Sequence, residues 1–149
     1  MRVFMALLAA VTGFALSFQA GANARMGEHT PTPFHAAFLN FVVGGVVLLV
    51  ASLLMAPNAG LSLSRAVQAP WWTWLAGVLG AAFVAMTVKA APALGVVLML
   101  TCAIAGQMLG SLVIDQFGIM GLPVRPATPG RLAGLALVFV GALLVLRER

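Results

Sequence analysis

Three polar side chains that could take part in chemistry lie in one long apolar stretch of the chain, residues 93–118. Gln107, Ser111 and Asp115 follow one another at intervals of four residues, which places them on one face of a helix. The amide and the hydroxyl can form hydrogen bonds with a solute, and the carboxylate can carry a proton. Hydrocarbon satisfies none of these groups, so we expect this face to point at protein or at a water-lined cavity.

The residues predicted to bind a substrate are Gln107, Asn40, Gln19 and Ser111. Each lies within an apolar run, where a polar side chain is a candidate for contact with a ligand. The alternative role for the glutamines and Asn40 is an interhelical hydrogen bond, worth about 0.6 kcal/mol on average. The alternative for Ser111, as for Thr101, is a bond back to a carbonyl of its own helix.

Two charged residues, Asp115 and Lys89, are predicted to gate or couple the movement of the substrate. Asp115 lies at the end of its apolar run, so its alternative role is to hold the following loop through Arg125 or Arg131. Lys89 can reach the membrane surface along its aliphatic stem. It could also serve as the counter-charge of an anionic substrate.

The composition indicates the class of protein that positions these residues. Of the 149 residues, 62% are hydrophobic and 7% are charged, whereas soluble domains carry about 25% charged residues. The chain is therefore predicted to be an all-α integral membrane protein that forms a single transmembrane domain. Its apolar runs predict five membrane-spanning helices, at about residues 3–22, 34–56, 71–89, 93–115 and 130–146.

The segments between these runs complete the predicted topology. Residues 90–92 (Ala-Ala-Pro) predict a tight turn after the third span, and the Gly- and Pro-rich residues 116–130 predict an irregular loop whose role the sequence does not define. Residues 22–24 (Ala-Asn-Ala) resemble a signal-peptide cleavage site. The first apolar run is longer than the apolar core of a typical signal peptide, which favours a spanning helix.

Small residues indicate where helices pack, and the absence of several motifs excludes some classes of function. Four glycines at helix-packing spacing are predicted to lie where helices approach closely: Gly106, Gly110, Gly77 and Gly80. The sequence has no Cys/His cluster, no phosphate-binding glycine loop and no nucleophile elbow. We therefore expect no metal, no cofactor and no catalytic residues. The basic residues are single and scattered, which argues against a nucleic-acid partner.

Positive charges are balanced between the two sides of the membrane. With five spans, the N-terminal side carries four basic residues, namely Arg2, Arg65, Arg125 and Arg131, and the other side carries Arg25, Lys89, Arg147 and Arg149. The Lys/Arg bias sets the orientation of a membrane protein, so a chain without bias is expected to insert in both directions. This balance predicts dual topology and an antiparallel homodimer, a 5+5 inverted repeat. The alternative is one orientation fixed by Arg2 and the first helix.

Antiparallel pairing would bring the predicted site residues together. Gln19 and Asn40 lie toward the side of the first loop, whereas Gln107 and Ser111 lie toward the opposite side. In an inverted copy the second pair reaches the depth of the first. The polar groups of two protomers would then converge between the subunits near the membrane midplane, where transporter sites are found.

Several short segments carry a family resemblance. They are the Asn23 end of the first helix, PFHAAF at 33–38, WLAG at 74–77, PALG at 92–95, and AGQ followed by IDQFG within 105–118. Together they resemble the YdcZ-type family of small bacterial proteins in the drug/metabolite transporter superfamily. The resemblance covers nearly the whole chain and implies a five-helix inner-membrane protein, found as single copies, adjacent pairs or fused double-length chains. It implies a transporter and possible pairing with a paralogue, but no particular substrate.

The sequence thus predicts a secondary transporter of a small metabolite that works by alternating access. The small multidrug resistance proteins of the same superfamily carry a glutamate in helix one, which this chain lacks, so a cation exporter is disfavoured. The acids Glu28, Asp115 and Glu148 all lie at or beyond helix ends. With no buried charge, a neutral, zwitterionic or amide-recognised solute is expected rather than a strong cation. The alternative from another class is a non-transporting subunit whose polar stripe binds a partner protein.

Overall fold

The computed structural model describes residues 1–55 and 63–148, apart from the side chains of Arg2 and Leu63. Ala56, the predicted last residue of the second span, and Arg149 lie outside the described residues. The helices are α1 (Arg2–Gly27), α2 (Pro33–Met55), the short α3 (Leu63–Ala66), α4 (Leu75–Leu94), α5 (Val96–Phe117) and α6 (Pro129–Arg147). Single 3-10 turns cover Trp71–Trp74 and Ile119–Gly121.

Five of these segments are long and apolar enough to cross a membrane. They are Val3–Gly27, Pro33–Met55, Trp71–Leu94, Val96–Phe117 and Pro129–Arg147. The described residues contain helices and no strand. The prediction of an all-α chain with five spanning helices is therefore confirmed.

The predicted end of the third span is wrong. Residues 90–92 form no turn, because α4 continues through Pro92 to Leu94. The break falls at Gly95, whose φ of 74° and ψ of 152° suit a residue without a Cβ. Proline has a φ compatible with a helix, although it cannot donate a hydrogen bond and its ring crowds the carbonyl four residues before it. Glycine, rather than proline, therefore sets the boundary between α4 and α5. α1 likewise runs to Gly27, past its predicted end at residue 22.

Two spanning helices begin with the same Thr-Pro pair. The Thr32 hydroxyl accepts a hydrogen bond from the backbone N–H of His35 at 3.3 Å, and the Thr128 hydroxyl accepts one from the N–H of Arg131 at 3.3 Å. A threonine at this position satisfies a backbone donor that the helix itself cannot. The proline that follows it has a φ already suited to the first turn.

The chain forms two compact units, Met1–Pro92 and Ala93–Arg149. In the first unit α1 contacts α2, and Ala37 of α2 packs against Val84 and Ala85 of α4. Gly80 of α4 faces the ring of Phe41, whose Cζ would lie 3.5 Å from an added Cβ. Small side chains therefore bring α2 and α4 together.

In the second unit α5 packs against α6, and the loop between them folds back onto the end of α5. The backbone N–H of Arg125 donates to the carbonyl of Asp115 at 2.8 Å, and that of Ala127 donates to Gln116 Oε1 at 2.7 Å. Gly118 ends α5 with a φ of 60°, and a Cβ there would lie 3.0 Å from the carbonyl oxygen of Leu122. The Gly- and Pro-rich loop is thus held by specific contacts.

The contact between the ends of α1 and α4 can be tested at Gly27. A Cβ at this position would overlap Cγ1 of Val88, so Gly27→Ala should lower the free energy of unfolding by about 1–3 kcal/mol through overpacking. The measurement is denaturant unfolding of the full chain in mixed micelles.

Gly21→Ala is the matched control, because a Cβ at Gly21 meets nothing within 4 Å. Adding Val88→Ala to Gly27→Ala removes the clashing methyl and should recover part of the loss. If Gly27→Ala is as stable as Gly21→Ala, the close contact with Val88 is incorrect.

Candidate functional site

A hydrogen-bonded polar network joins three helices of the first unit. The Nδ2 of Asn40 on α2 donates to Oδ1 of Asn23 on α1 at 2.6 Å. The Nδ2 of Asn23 donates to the Thr87 hydroxyl on α4 at 3.2 Å, and that hydroxyl donates to the carbonyl of Val84 at 2.7 Å. Each bond passes from one donor to the next acceptor, so the network runs in one direction.

The network is well shielded. Asn23 and Thr87 are 3% and 2% exposed, and Asn40 is half-buried. A polar group in an apolar environment is costly without a partner, and no buried side-chain nitrogen or oxygen among the described residues lacks one. The network therefore fixes how α1, α2 and α4 meet and holds the Asn40 amide in one orientation.

Sequence reasoning identified Asn40 but not the residues that hold it. Asn23 recurs on one face of α1 with Thr12 and Gln19, which was the one available signal for it. Thr12 instead donates to carbonyls of its own helix, at 2.8 Å and 2.9 Å. Thr87 lies 64 residues from Asn23, and no local pattern relates positions so far apart.

Three predicted substrate-binding residues lie on the surface of the chain. Gln19, Gln107 and Ser111 are exposed, and none of their side chains forms a hydrogen bond with a described residue. Thr101 does donate to its own helix, at 2.7 Å to the carbonyl of Val97. Ser111, expected to do the same, makes no such bond within the described chain.

Asp115 and Ser111 come together in the second unit. Asp115 Oδ2 lies 3.3 Å from Arg131 Nη1, and the same nitrogen donates to the carbonyl of Arg125 at 3.0 Å. These contacts are those of the alternative role given for Asp115, holding the loop after α5, and its role in gating or coupling stays a prediction. The ion pair lies at a cleft of about 310 Å³ whose lining is Met108, Ser111, Leu112, Asp115, Arg131, Gly134 and Leu135.

Lys89 lies in the first unit and inside a helix. It is exposed and five residues before the end of α4, where it lines a cleft of about 270 Å³ with Gly27, Thr30 and Thr32. At the same end of the unit Arg25 and Glu28 form an ion pair. Since α4 is longer than expected, Lys89 belongs to the last turns of a span.

The four glycines predicted to pack helices differ in their surroundings. Gly80 contacts Phe41, as described above. A Cβ at Gly77, Gly106 or Gly110 would meet nothing within 4 Å. Gly106 nevertheless lines a cleft with Phe139 and Leu143 of α6, so α6 lies near it without close contact. Gly77 and Gly110 have no close neighbour among the described residues.

Five apolar spans, joined by short segments and carrying internal polar contacts, define a multi-pass membrane protein. The model of the family described as "Putative inner membrane exporter, YdcZ" matches residues 4–144. The chain is also 31% identical over 137 residues to the inner membrane protein YdcZ of Escherichia coli (strain K12), which covers 91% of this chain and 90% of that protein. The chain belongs to the YdcZ family of the drug/metabolite transporter superfamily. No solved structure matches it.

Membership of this family confirms two sequence expectations. The chain is a multi-pass inner-membrane protein, and its family is one of transporters rather than enzymes. The resemblance that rested on a few short segments is therefore confirmed over nearly the whole chain.

The network makes a prediction about stability. Asn23→Ala and Thr87→Val remove the two ends of one buried hydrogen bond, so their effects on the free energy of unfolding should not add. We expect a coupling energy of about 0.6 kcal/mol and at most about 1.7 kcal/mol, the range for hydrogen bonds between membrane helices. A double-mutant cycle in mixed micelles measures it.

The control cycle combines Thr87→Val with Gln19→Ala, because Gln19 is exposed and does not bond to Thr87. These two effects should add. Equal coupling energies in the two cycles would show that Asn23 and Thr87 do not interact.

Proposed function

We propose that this protein is a secondary transporter of a small metabolite, in which two antiparallel copies form the path for the substrate by alternating access. All five spans of each copy form a single transmembrane domain. The observation that carries this proposal is the exposure of Gln19, Gln107 and Ser111 on spanning helices, with no partner in the described chain.

A glutamine side chain facing lipid would lose its hydrogen bonds to water and gain none. Polar residues in spanning helices accordingly face a bundle interior or a water-filled cavity. Gln19 is not covered by the described residues of the first unit, nor are Gln107 and Ser111 by those of the second. A second copy, or an aqueous path between two copies, would satisfy them.

The helix bounds support convergence of these groups. Gln19 lies eight residues before the end of α1 at Gly27, about 12 Å from that end, at 1.5 Å per residue. Gln107 lies ten residues before the end of α5 at Phe117, about 15 Å from that end. Gln107 is also eleven residues from the start of α5 at Val96, so it lies near the middle of its helix rather than toward one side. Its depth is therefore about the same in either orientation, and close to that of Gln19 near the membrane midplane.

The charge balance gives independent support. Lys89 lies inside α4, five residues before its end at Leu94. It is therefore still counted among the basic residues on the side of the first loop. The balance of Lys and Arg is unchanged by the longer helices. Without a bias, both orientations should occur in the same membrane.

The buried network has a place in this proposal. The Nδ2 of Asn40 donates to Asn23, whereas the Oδ1 of Asn40 has no hydrogen-bond partner among the described residues. In this proposal Asn23 and Thr87 are positioning residues, because their hydrogen bonds fix the orientation of the Asn40 amide. A substrate that donates an N–H or O–H would be recognised there.

Dual topology can be tested with single added charges. A tag at the C-terminus should be labelled from both faces of the membrane in the native chain. His29→Lys and Gln68→Lys, both at exposed loop positions on opposite sides, should shift the labelled fraction in opposite directions. A native tag that is labelled from one face only would show a fixed topology and remove the antiparallel dimer.

Transport can be tested by flux into proteoliposomes from a panel of labelled neutral and zwitterionic metabolites. We expect at least one solute to move, and Gln107→Ala to reduce its initial rate about tenfold or more, as for a group that contacts the substrate. Thr101→Val is the control on the same helix, because that hydroxyl is already bonded within α5.

Two results would contradict this proposal. Movement of no solute in the panel would argue against transport, and loss of a co-purified protein in Gln107→Ala would favour the partner-binding alternative. Normal flux through Gln107→Ala would exclude this residue from the path while leaving transport intact.

A further inference from the structure

We infer that the cleft at Asp115 and Arg131 binds the charged end of a zwitterionic solute, one that carries an ammonium and a carboxylate group close together. This inference rests on the proposed transport function, for which it names the substrate class. It starts from the geometry of one ion pair and the surfaces beside it.

The ion pair uses only part of each charged group. Contact is made through Asp115 Oδ2 and Arg131 Nη1, and Nη1 also donates to the carbonyl of Arg125. Oδ1 of Asp115, and Nε and Nη2 of Arg131, form no hydrogen bond with a described residue. A carboxylate has about four acceptor positions and a guanidinium has five donors. The pair can therefore stay closed while each member binds a further group.

The free atoms have complementary preferences. Nε and Nη2 of Arg131 form a planar fork that suits a carboxylate bound through both oxygens. Oδ1 of Asp115 suits an ammonium donor. The two side chains are 39% and 34% exposed, so solute can reach them.

Charge balance selects between classes of solute. The pair sums to zero, so a solute with one positive charge would gain Asp115 but lie beside Arg131. A solute with one negative charge would pair with Arg131 but lie beside the carboxylate of Asp115. A zwitterion satisfies both members at once, and discrimination against the others comes from the charge left unpaired.

The remainder of the cleft is apolar and has room. Met108, Leu112 and Leu135 line it, and Leu135 is buried. A Cβ at Gly134 would meet nothing within 4 Å, so this glycine leaves the space open. A volume of about 310 Å³ is at the small end of ligand sites. Ser111 lies one helical turn from both Asp115 and Gln107, so the cleft leads toward the exposed polar face of α5.

The test compares four probes that share one isobutyl group. L-leucine is a zwitterion, leucinamide a cation, N-acetyl-leucine an anion and isocaproamide neutral. Binding to the purified full chain in nanodiscs is measured at neutral pH by saturation-transfer NMR and calorimetry. Leucine should bind about tenfold or more tightly than each of the others, roughly the effect of one unpaired charged hydrogen bond.

Variants test the assignment of each atom group. Asp115→Asn leaves Arg131 uncompensated, so N-acetyl-leucine should become the preferred probe. Arg131→Gln leaves Asp115 uncompensated, so leucinamide should become the preferred probe. A half-exposed ion pair contributes little to stability, so both variants should fold. Gly134→Val should fill the cleft and weaken leucine binding about fivefold or more, whereas Gly141→Val on the same helix should not.

The outcomes separate this inference from transport itself. Equal affinity for the four probes, no probe reaching millimolar affinity, or loss of binding in both charge variants without the reversal would overturn the zwitterion site. A measured flux of other solutes would still support transport in that case. Selective leucine binding without any flux would support the site and contradict transport.

Discussion

The hydrocarbon of a membrane offers no hydrogen bonds, and the rest of this structure depends on that constraint. Every backbone donor and acceptor must find a partner within its own segment, which makes the spans helical. The Thr-Pro starts of α2 and α6 serve the same need at helix ends, where backbone donors are left over. Gly118 ends α5 with a left-handed residue, and its N–H bonds to the carbonyl of Ile114. The polar side chains show the same constraint. Some have partners within the chain, in the buried network or in their own helix, and others have none among the described residues.

This difference divides the polar residues into two groups. Asn23, Asn40 and Thr87 satisfy one another within the first unit and hold its helices in place. Gln19, Gln107 and Ser111 have no such partners among the described residues, and they are the residues that a substrate path or a second copy would have to satisfy. The transport that we propose requires both a rigid frame, which the network supplies in the first unit, and polar groups that remain accessible.

The second unit combines the same two features in a smaller space. The loop after α5 is held by Asp115, Gln116 and Arg131, so the cleft beside the ion pair has a defined wall. The charged pair contributes little to stability because it is half-exposed. Its exposed atoms nevertheless give the cleft a polarity that the apolar lining of Met108, Leu112 and Leu135 does not provide. In the site that we infer, structural and recognition roles would therefore fall on different atoms of the same side chains.

Much of this could be read from the sequence, because membrane helices follow from local composition. The apolar runs gave the five spans, and the order of residues placed Gln107, Ser111 and Asp115 on one face. The role of Asp115 in holding the loop was also foreseen, since Arg131 is near in sequence. The end of α4 was not foreseen, because Pro92 is accommodated within the helix. The break falls instead at Gly95, whose φ of 74° ends the helix. The Asn23–Thr87 bond and the contact of Gly27 with Val88 join residues far apart in sequence. Only the packing of α1 against α4 could decide them, because no local pattern specifies which distant side chains meet.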